Sequence, residues 1–384
     1  MTYRWTRFAG LTLAFCFFSV DVSASEFVQP SLAMNDLSEV DADYPFQGEY
    51  AGALFTGSGS SGWEDLGLQV IAQGNGEFSG VLYRGGLPGR GWAHNASVAL
   101  QGSRRNGALE LLSSGVRVEV ESHHAIIWVN RQQLGGFLPR VLRVSRTMHA
   151  QPPAGARVLF DGSDALQFVG GQITGDGLLM EGADTLDAFG NFTLHIEFRL
   201  PYMPHARGQA RGNSGVYLQS RYEVQILDSF GLEGVANQCG GLYRQRAPDV
   251  NMCLPPLTWQ TYDIKLTSPR FLVDGSKLEN GRVSVWHNGV LIHNDVELAD
   301  KTGAGKPEGS LPLPTRLQDH GDPVRFRNIW LVEHGVVPSS GISSVVSIPP
   351  TTSTWPAERL KSKAPWSAPE HRSRILYPGS PGAF

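Results

Sequence analysis

Apolar and polar residues alternate with a period of two along much of the chain, and long stretches with the helical period of 3.6 are scarce. Leu68-Gln69-Val70-Ile71 and Glu77-Phe78-Ser79-Gly80-Val81-Leu82-Tyr83 flank Gly74-Asn75-Gly76, whose Asn-Gly pair is hairpin chemistry. Val116-Arg117-Val118-Glu119-Val120-Glu121 sets apolar residues against charged ones, so one face is buried and the other wet. Ala125 to Val129 and Val141 to Val144 supply further short strands. Farther along, Thr193-Leu194-His195-Ile196-Glu197-Phe198-Arg199-Leu200 alternates, and Val283 to Trp286 and Val290 to Ile292 flank a second Asn-Gly turn at Asn288-Gly289. Many short strands with little helix predict an all-β chain built as a sandwich or jelly roll.

The breaks between these runs divide the chain. Residues 1–24 read as a signal peptide: Arg4 and Arg7 precede an apolar run from Phe8 to Val20, and Val22-Ser23-Ala24 is a small-x-small cleavage site. That run falls short of the roughly 20 apolar residues that span a bilayer, so an exported protein, periplasmic or extracellular, without a transmembrane segment is expected. Residues 25–44 form a leader without periodicity. Residues 45–147 read as a small all-β accessory domain with no catalytic constellation, its His123-His124 pair placed at a solvated turn. Residues 148–156 are a linker by composition, 157–333 a second β domain, and 334–384 a Pro/Ser-rich tail expected to be disordered.

Hydrophobic residues make up 41% of the 384 and charged residues 18%, the balance of a folded chain. The formal net charge of −4 offers no basic surplus for nucleic acid. Once a signal is removed, Cys239 and Cys253 are the remaining cysteines, and an oxidising compartment favours a disulfide between them.

Candidate chemistry concentrates in the stretch from Arg211 to Ser229, where two strand-like runs meet at Ser220-Arg221. A two-residue turn there sets Leu218 opposite Glu223, Val216 opposite Gln225 and Asn213 opposite Asp228. The strand period puts Glu223 and Gln225 on one face and Tyr222, Val224 and Ile226 on the other. Asp228 has the opposite parity and joins that face only from the strand end or across a bulge.

This stretch, with Gly241-Leu242-Tyr243, Leu317-Gln318-Asp319-His320-Gly321 and Phe326-Arg327-Asn328-Ile329, resembles the motif set of the 3-keto-disaccharide hydrolase family. The likeness runs from about Val158 to Val332 and includes the opening Phe160-Asp161-Gly162, although the family's tryptophan soon after that opening is missing here. The resemblance implies a concanavalin-A-like jelly roll, preceded here by the small β-rich domain, with a concave face that holds sugar. It implies that Glu223 and Gln225 line the cleft, with Asp228, Asn213, Arg211, Tyr243, Gln318 and His320 as further pocket residues. The substrate implied is an oxidised, 3-keto oligosaccharide or glycoside.

The chemistry of such a substrate matches these residue types. A ketone at C3 acidifies the C2 proton, a base removes it, and the glycosidic oxygen leaves C1 by elimination, with hydration completing a net hydrolysis. One base, one acid and donors for the enolate oxygen are needed. Glu223 or His320 could serve as base, with the other or Asp228 as acid, while Arg211, Asn213 or Gln318 could stabilise the oxyanion. A divalent metal on Glu223, Asp228 and His320 is a chemically reasonable cofactor. Two other readings stay open: a non-catalytic carbohydrate-binding or scaffold protein on the same fold, and a conventional glycosidase using Glu223 and Asp228. Plainer roles are expected elsewhere. Arg325 and Arg327 read as ion-pair partners, His287 and His293 as exposed, Trp259 as core packing, and the Asp residues around His320 as turn formers.

Overall fold

A computed structural model describes residues 33–335, apart from 57–61, 95–96 and 131–132. The expected signal peptide, the first part of the leader (25–32) and nearly all of the tail lie outside the described residues. The first strands are β1 (Gly48–Phe55), β2 (Trp63–Gly74), β3 (Glu77–Arg84), β4 (Ser97–Arg105), β5 (Ala108–Ser113), β6 (Val116–Val120), β7 (His124–Val129) and β8 (Gln133–Val141). Each pairs antiparallel with the next, and β1 also pairs with β8, so they close into a barrel. Asn75 and Gly76 adopt positive φ at the β2–β3 turn, the backbone an Asn-Gly hairpin requires. Tyr50, Leu68, Val70, Phe78, Leu100, Leu111, Val118, Ile127 and Leu138 fill the interior, which is a packed core and not a ligand channel. The strand expected at Val141 to Val144 is displaced, since β8 ends at Val141 where its pairing to Glu49 stops.

The second half contributes β9 (Arg157–Phe160), β10 (Phe168–Val169), β11 (Leu179–Met180), β12 (Ala183–Ala188), β13 (Asn191–Arg199), β14 (Ser214–Leu218), β15 (Tyr222–Ile226) and β16 (Trp259–Thr267). It continues through β17 (Arg270–Phe271), β18 (Lys277–Glu279), β19 (Gly281–His287), β20 (Val290–Leu298), β21 (Pro314–Leu317) and β22 (Arg325–His334). Among the described residues these form a five-stranded sheet, β10-β12-β21-β14-β15, and a seven-stranded sheet, β11-β22-β13-β16-β19-β20 with β9 on β22. Strands β17 and β18 make a separate ribbon. The two antiparallel sheets are the layers of a β-sandwich of the jelly-roll kind, and the chain is all-β. Leu194, Ile196 and Phe198 of β13 and Tyr262, Ile264 and Leu266 of β16 share one core with Val216, Leu218, Tyr222, Val224 and Ile226 of β14 and β15.

Barrel and sandwich belong to one compact unit. Ile71, on the outer face of β2, joins the sandwich core, and Arg207 donates to the Gln73 carbonyl at 2.6 Å. The segment after β8 lies on the outer face of the seven-stranded sheet, where Thr147 donates to Asp263 at 2.6 Å and the His149 amide donates to Glu197 at 2.5 Å. Beneath it, His195 sits between Asp263 (2.7 Å) and Glu197 (3.8 Å) and stacks on Trp330. Arg327 and Arg325 are ion-pair partners, of Glu197 at 2.7 Å and Glu181 at 2.5 Å.

Several expectations are corrected. Trp259 is not a core residue: the odd positions of β16 face outward, and its ring lies under the guanidinium groups of Arg327 and Arg199. His287 and His293 are fully buried rather than exposed, because the segment carrying Gly240 folds over them. His293 donates to the Gly240 carbonyl at 2.7 Å and accepts from Arg246 at 2.6 Å. Burial holds the His293 ring near pKa 4 and the His287 ring near 3, so both are neutral. The expected disulfide is absent: Cys239 and Cys253 are free, buried thiols in mutual contact. Cys239 also contacts the Tyr262 hydroxyl at 3.2 Å, and Cys253 the Leu227 carbonyl at 3.6 Å.

Candidate active site

The β14–β15 hairpin is the frame of the site. Its turn has three residues rather than the expected two, so Tyr217, not Leu218, stands opposite Glu223, and Gly215 opposite Gln225. Gln219 and Ser220 both adopt positive φ, a conformation disfavoured for L-residues. Tertiary bonds hold it in place: the Gln219 amide donates to the Phe189 carbonyl (2.7 Å) and Ser268 (2.8 Å), and the Ser220 hydroxyl to the Pro314 carbonyl (2.7 Å). The one-residue change leaves β15's own parity intact. Tyr222, Val224 and Ile226 point into the core, and Glu223 and Gln225 take the opposite face.

On that face the Glu223 carboxyl occupies a slot that two glycines leave open. A Cβ on Gly215 would stand 2.6 Å from Glu223 Oε1, and one on Gly303 would meet the Tyr243 ring at 2.8 Å and Oε2 at 3.7 Å. The segment from Gly240 to Tyr243 hydrogen-bonds along the free edge of β15. The Gln225 amide donates to Gly241, the Gly240 amide to Gln225 and the Tyr243 amide to Glu223, at 2.9, 2.9 and 3.2 Å. The Glu223 amide donates to Thr302 at 2.7 Å, which fixes the Thr302–Gly305 loop over the carboxyl. Glu223 is thereby left only 2% exposed. Burial pushes its pKa up to about 7, opposed only by a hydrogen bond from the Tyr217 hydroxyl, and no cation among the described residues pairs with it.

The other expected pocket residues divide into those near this carboxyl and those that are not. Gln318 lies beside it: its amide nitrogen donates to the Tyr217 hydroxyl at 3.5 Å, and its Oε1 is buried without a partner. Gln225 donates to Gln209 at 3.2 Å and to Asn213 at 3.5 Å, and Asn213 donates to the Gln209 carbonyl at 2.7 Å. Tyr243 is half-buried against Gly303. At the end of the hairpin Arg211 is bonded to Asp228 at 2.6 Å, both buried, and Arg211 Nη2 has no partner. Asp228 is therefore committed to a cation and is not a free acid.

His320 stands apart. It is exposed in the turn after β21, where the Gly321 amide donates to Asp319 at 2.8 Å. Glu223, Asp228 and His320 do not converge, and among the described residues no group of three or more His, Cys, Asp or Glu side chains is arranged to hold a metal ion. The metal expected on those three residues does not fit this arrangement. Tyr217, Gln209 and Thr302 join the site without having been read from the sequence. Tyr217 shares the Glu223 face only in the correct register, so its parity would have revealed it. Nothing local marks Thr302, which arrives from a distant loop.

Residues 155–332 match the model of the 3-keto-alpha-glucoside-1,2-lyase-like domain. Among solved structures, a candidate glycosyl hydrolase from Parabacteroides distasonis is 33% identical over 47% of this chain and 85% of its own, with a TM-score of 0.42. A second candidate glycosyl hydrolase from the same organism is 20% identical over 47% of this chain and 95% of its own, with a TM-score of 0.36. No curated protein matches the chain.

Proposed function

Because the chain belongs, through residues 155–332, to the 3-keto-alpha-glucoside-1,2-lyase-like family, we propose that it cleaves the glycosidic bond of 3-keto glycosides by elimination followed by hydration. The carrying observation is Glu223, a buried carboxyl without a cation whose pKa stands at about 7. An ordinary carboxylate is too weak a base for the C2 proton of a sugar, but the C3 ketone makes that proton acidic, and a carboxylate tuned to neutrality is matched to removing it. The electron pair from the C2–H bond is first held as an enolate on the C3 oxygen, then forms the C1–C2 double bond as the C1–O bond breaks and the glycosidic oxygen leaves. Water then adds across the double bond.

Arg211 Nη2 and the Gln318 amide suit the enolate oxygen, because each is a donor within the same sheet face or its end. An ordinary glycosidase would need a second free carboxyl across the scissile bond, and Asp228 is tied to Arg211 instead. The test is incubation with a 3-keto-disaccharide and with its unoxidised parent, following release of both sugars. Cleavage confined to the keto sugar is expected, with Glu223→Gln lowering turnover about 10²–10⁴-fold. Equal cleavage of the parent would refute the elimination route, and sugar binding without turnover would make the protein a lectin-like module.

A further inference from the structure

We propose that Tyr217 is the acid of this reaction, donating its hydroxyl proton to the departing glycosidic oxygen while Glu223 holds the proton taken from C2. The proposal rests on the keto-glycoside reading above. Tyr217 and Glu223 are directly opposed across the antiparallel β14–β15 pair, which sets their side chains next to one another on the same face. Asp228 and His320, the acids suggested by sequence, are respectively bonded to Arg211 and exposed in a turn. Tyr217 is buried beside the base, and the Gln318 amide donates to its oxygen at 3.5 Å, where it would stabilise the phenolate left after proton transfer.

The electrostatics of the pair give the two transfers an order. Burial, then the hydrogen bond and the charge of Glu223, push the Tyr217 hydroxyl well above its usual range. While Glu223 is ionised, Tyr217 therefore keeps its proton. Once Glu223 takes the C2 proton its charge is gone, two of the influences that hold the hydroxyl up vanish with it, and Tyr217 becomes a better acid as charge develops on the leaving oxygen. The proton balance closes within the pair. C2 gives a proton to Glu223, Tyr217 gives one to the leaving oxygen, and Glu223 returns its proton to the phenolate. No oxidant or further acid is consumed.

The test uses two 3-keto-glucosides, one with a sugar leaving group and one with 4-nitrophenolate, which departs without being protonated. Tyr217→Phe should lose about 10²–10⁴-fold on the first and far less on the second, and in D₂O it should still exchange the C2 hydrogen of unreacted substrate. Glu223→Gln should lose both reactions and the exchange. An equal loss on both substrates, with exchange lost too, would reduce Tyr217 to a residue that positions Glu223; full activity of Tyr217→Phe on the disaccharide would also overturn the proposal. If Tyr217→Phe does not fold, 3-fluorotyrosine at position 217 keeps the side chain and makes its phenol more acidic. The rate on the disaccharide should then change relative to that on the 4-nitrophenyl substrate, whose leaving group needs no proton, and an unchanged ratio would overturn the assignment. Wild-type protein that acts on neither keto substrate would instead sink the functional reading itself, and this proposal with it.

Discussion

Replacing Glu223 by glutamine should make the protein more stable at pH 8 and leave it unchanged near pH 4. In the unfolded chain a glutamate titrates at about 4.5, whereas in the folded protein burial holds Glu223 at about 7. Below pH 4.5 the group is neutral in both states and folding buries no charge. As the pH rises toward 7 the unfolded chain gains a hydrated carboxylate that the folded protein resists forming, so stability falls and the full loss is reached above 7. A gap of about 2.5 pH units, at about 1.36 kcal/mol for each, corresponds to about 3 kcal/mol. Glutamine keeps the shape and still accepts from Tyr217 but carries no charge to bury, which removes the pH-dependent part. Urea unfolding of both proteins at pH 4 and pH 8, followed by tryptophan fluorescence, measures the difference. A glutamine variant equal to or less stable than the parent at pH 8 would show that the carboxylate is satisfied in the fold and would remove the basis for assigning it as the base.

Two further expectations are read by other measurements. The pH profile of kcat/KM on a 3-keto-disaccharide should rise with pH to a midpoint near 7, since the base works only when ionised; a midpoint near 4.5 would contradict the assignment. Glu197 is perturbed the other way, lowered from 4.5 to about 2, because its bonds to His195, Asn328, Arg327 and the His149 amide outweigh its burial. Its stabilisation is present above pH 4.5 and lost as the pH falls toward 2, so Glu197→Gln should destabilise the protein by about 3 kcal/mol at pH 7 and by progressively less in acid.

The features legible in the sequence are those fixed by neighbours along the chain. Thr193 to Leu200 alternates because β13 faces the core with Leu194, Ile196 and Phe198. Glu223 and Gln225 share a face because strand parity is local and survives any error in pairing. What was not legible depends on distant contacts. The barrel closes through β1 and β8, whose pairing of Glu49 with Val141 joins segments with no shared local pattern. The hairpin turn depends on Gln219 bonding to Phe189 and Ser268, and without those bonds a two-residue turn is the better guess. That one-residue error concealed Tyr217. His287 reads as exposed beside an Asn-Gly turn until the Gly240 segment is known to cover it.

Glu197 and Glu223 show what this fold can do with a buried carboxylate. Each lies on a strand of the same sandwich, 0% and 2% exposed. Around Glu197 the chain supplies Arg327 at 2.7 Å, Asn328 at 2.9 Å and a backbone amide at 2.5 Å, so the charge is held in the folded state. Around Glu223 it supplies one tyrosine hydroxyl. The arrangement at Glu197 demonstrates that donors can be brought to such a group, so their lack at Glu223 is a feature of that place and not of the architecture. It costs about 3 kcal/mol out of a typical net stability of about 5–15 kcal/mol. Water reaching the carboxyl would relieve that cost and also return the pKa toward 4.5, weakening the base in proportion. The Tyr243 ring and the Gly303 loop that exclude water are therefore as much a part of the proposed base as the carboxylate they cover.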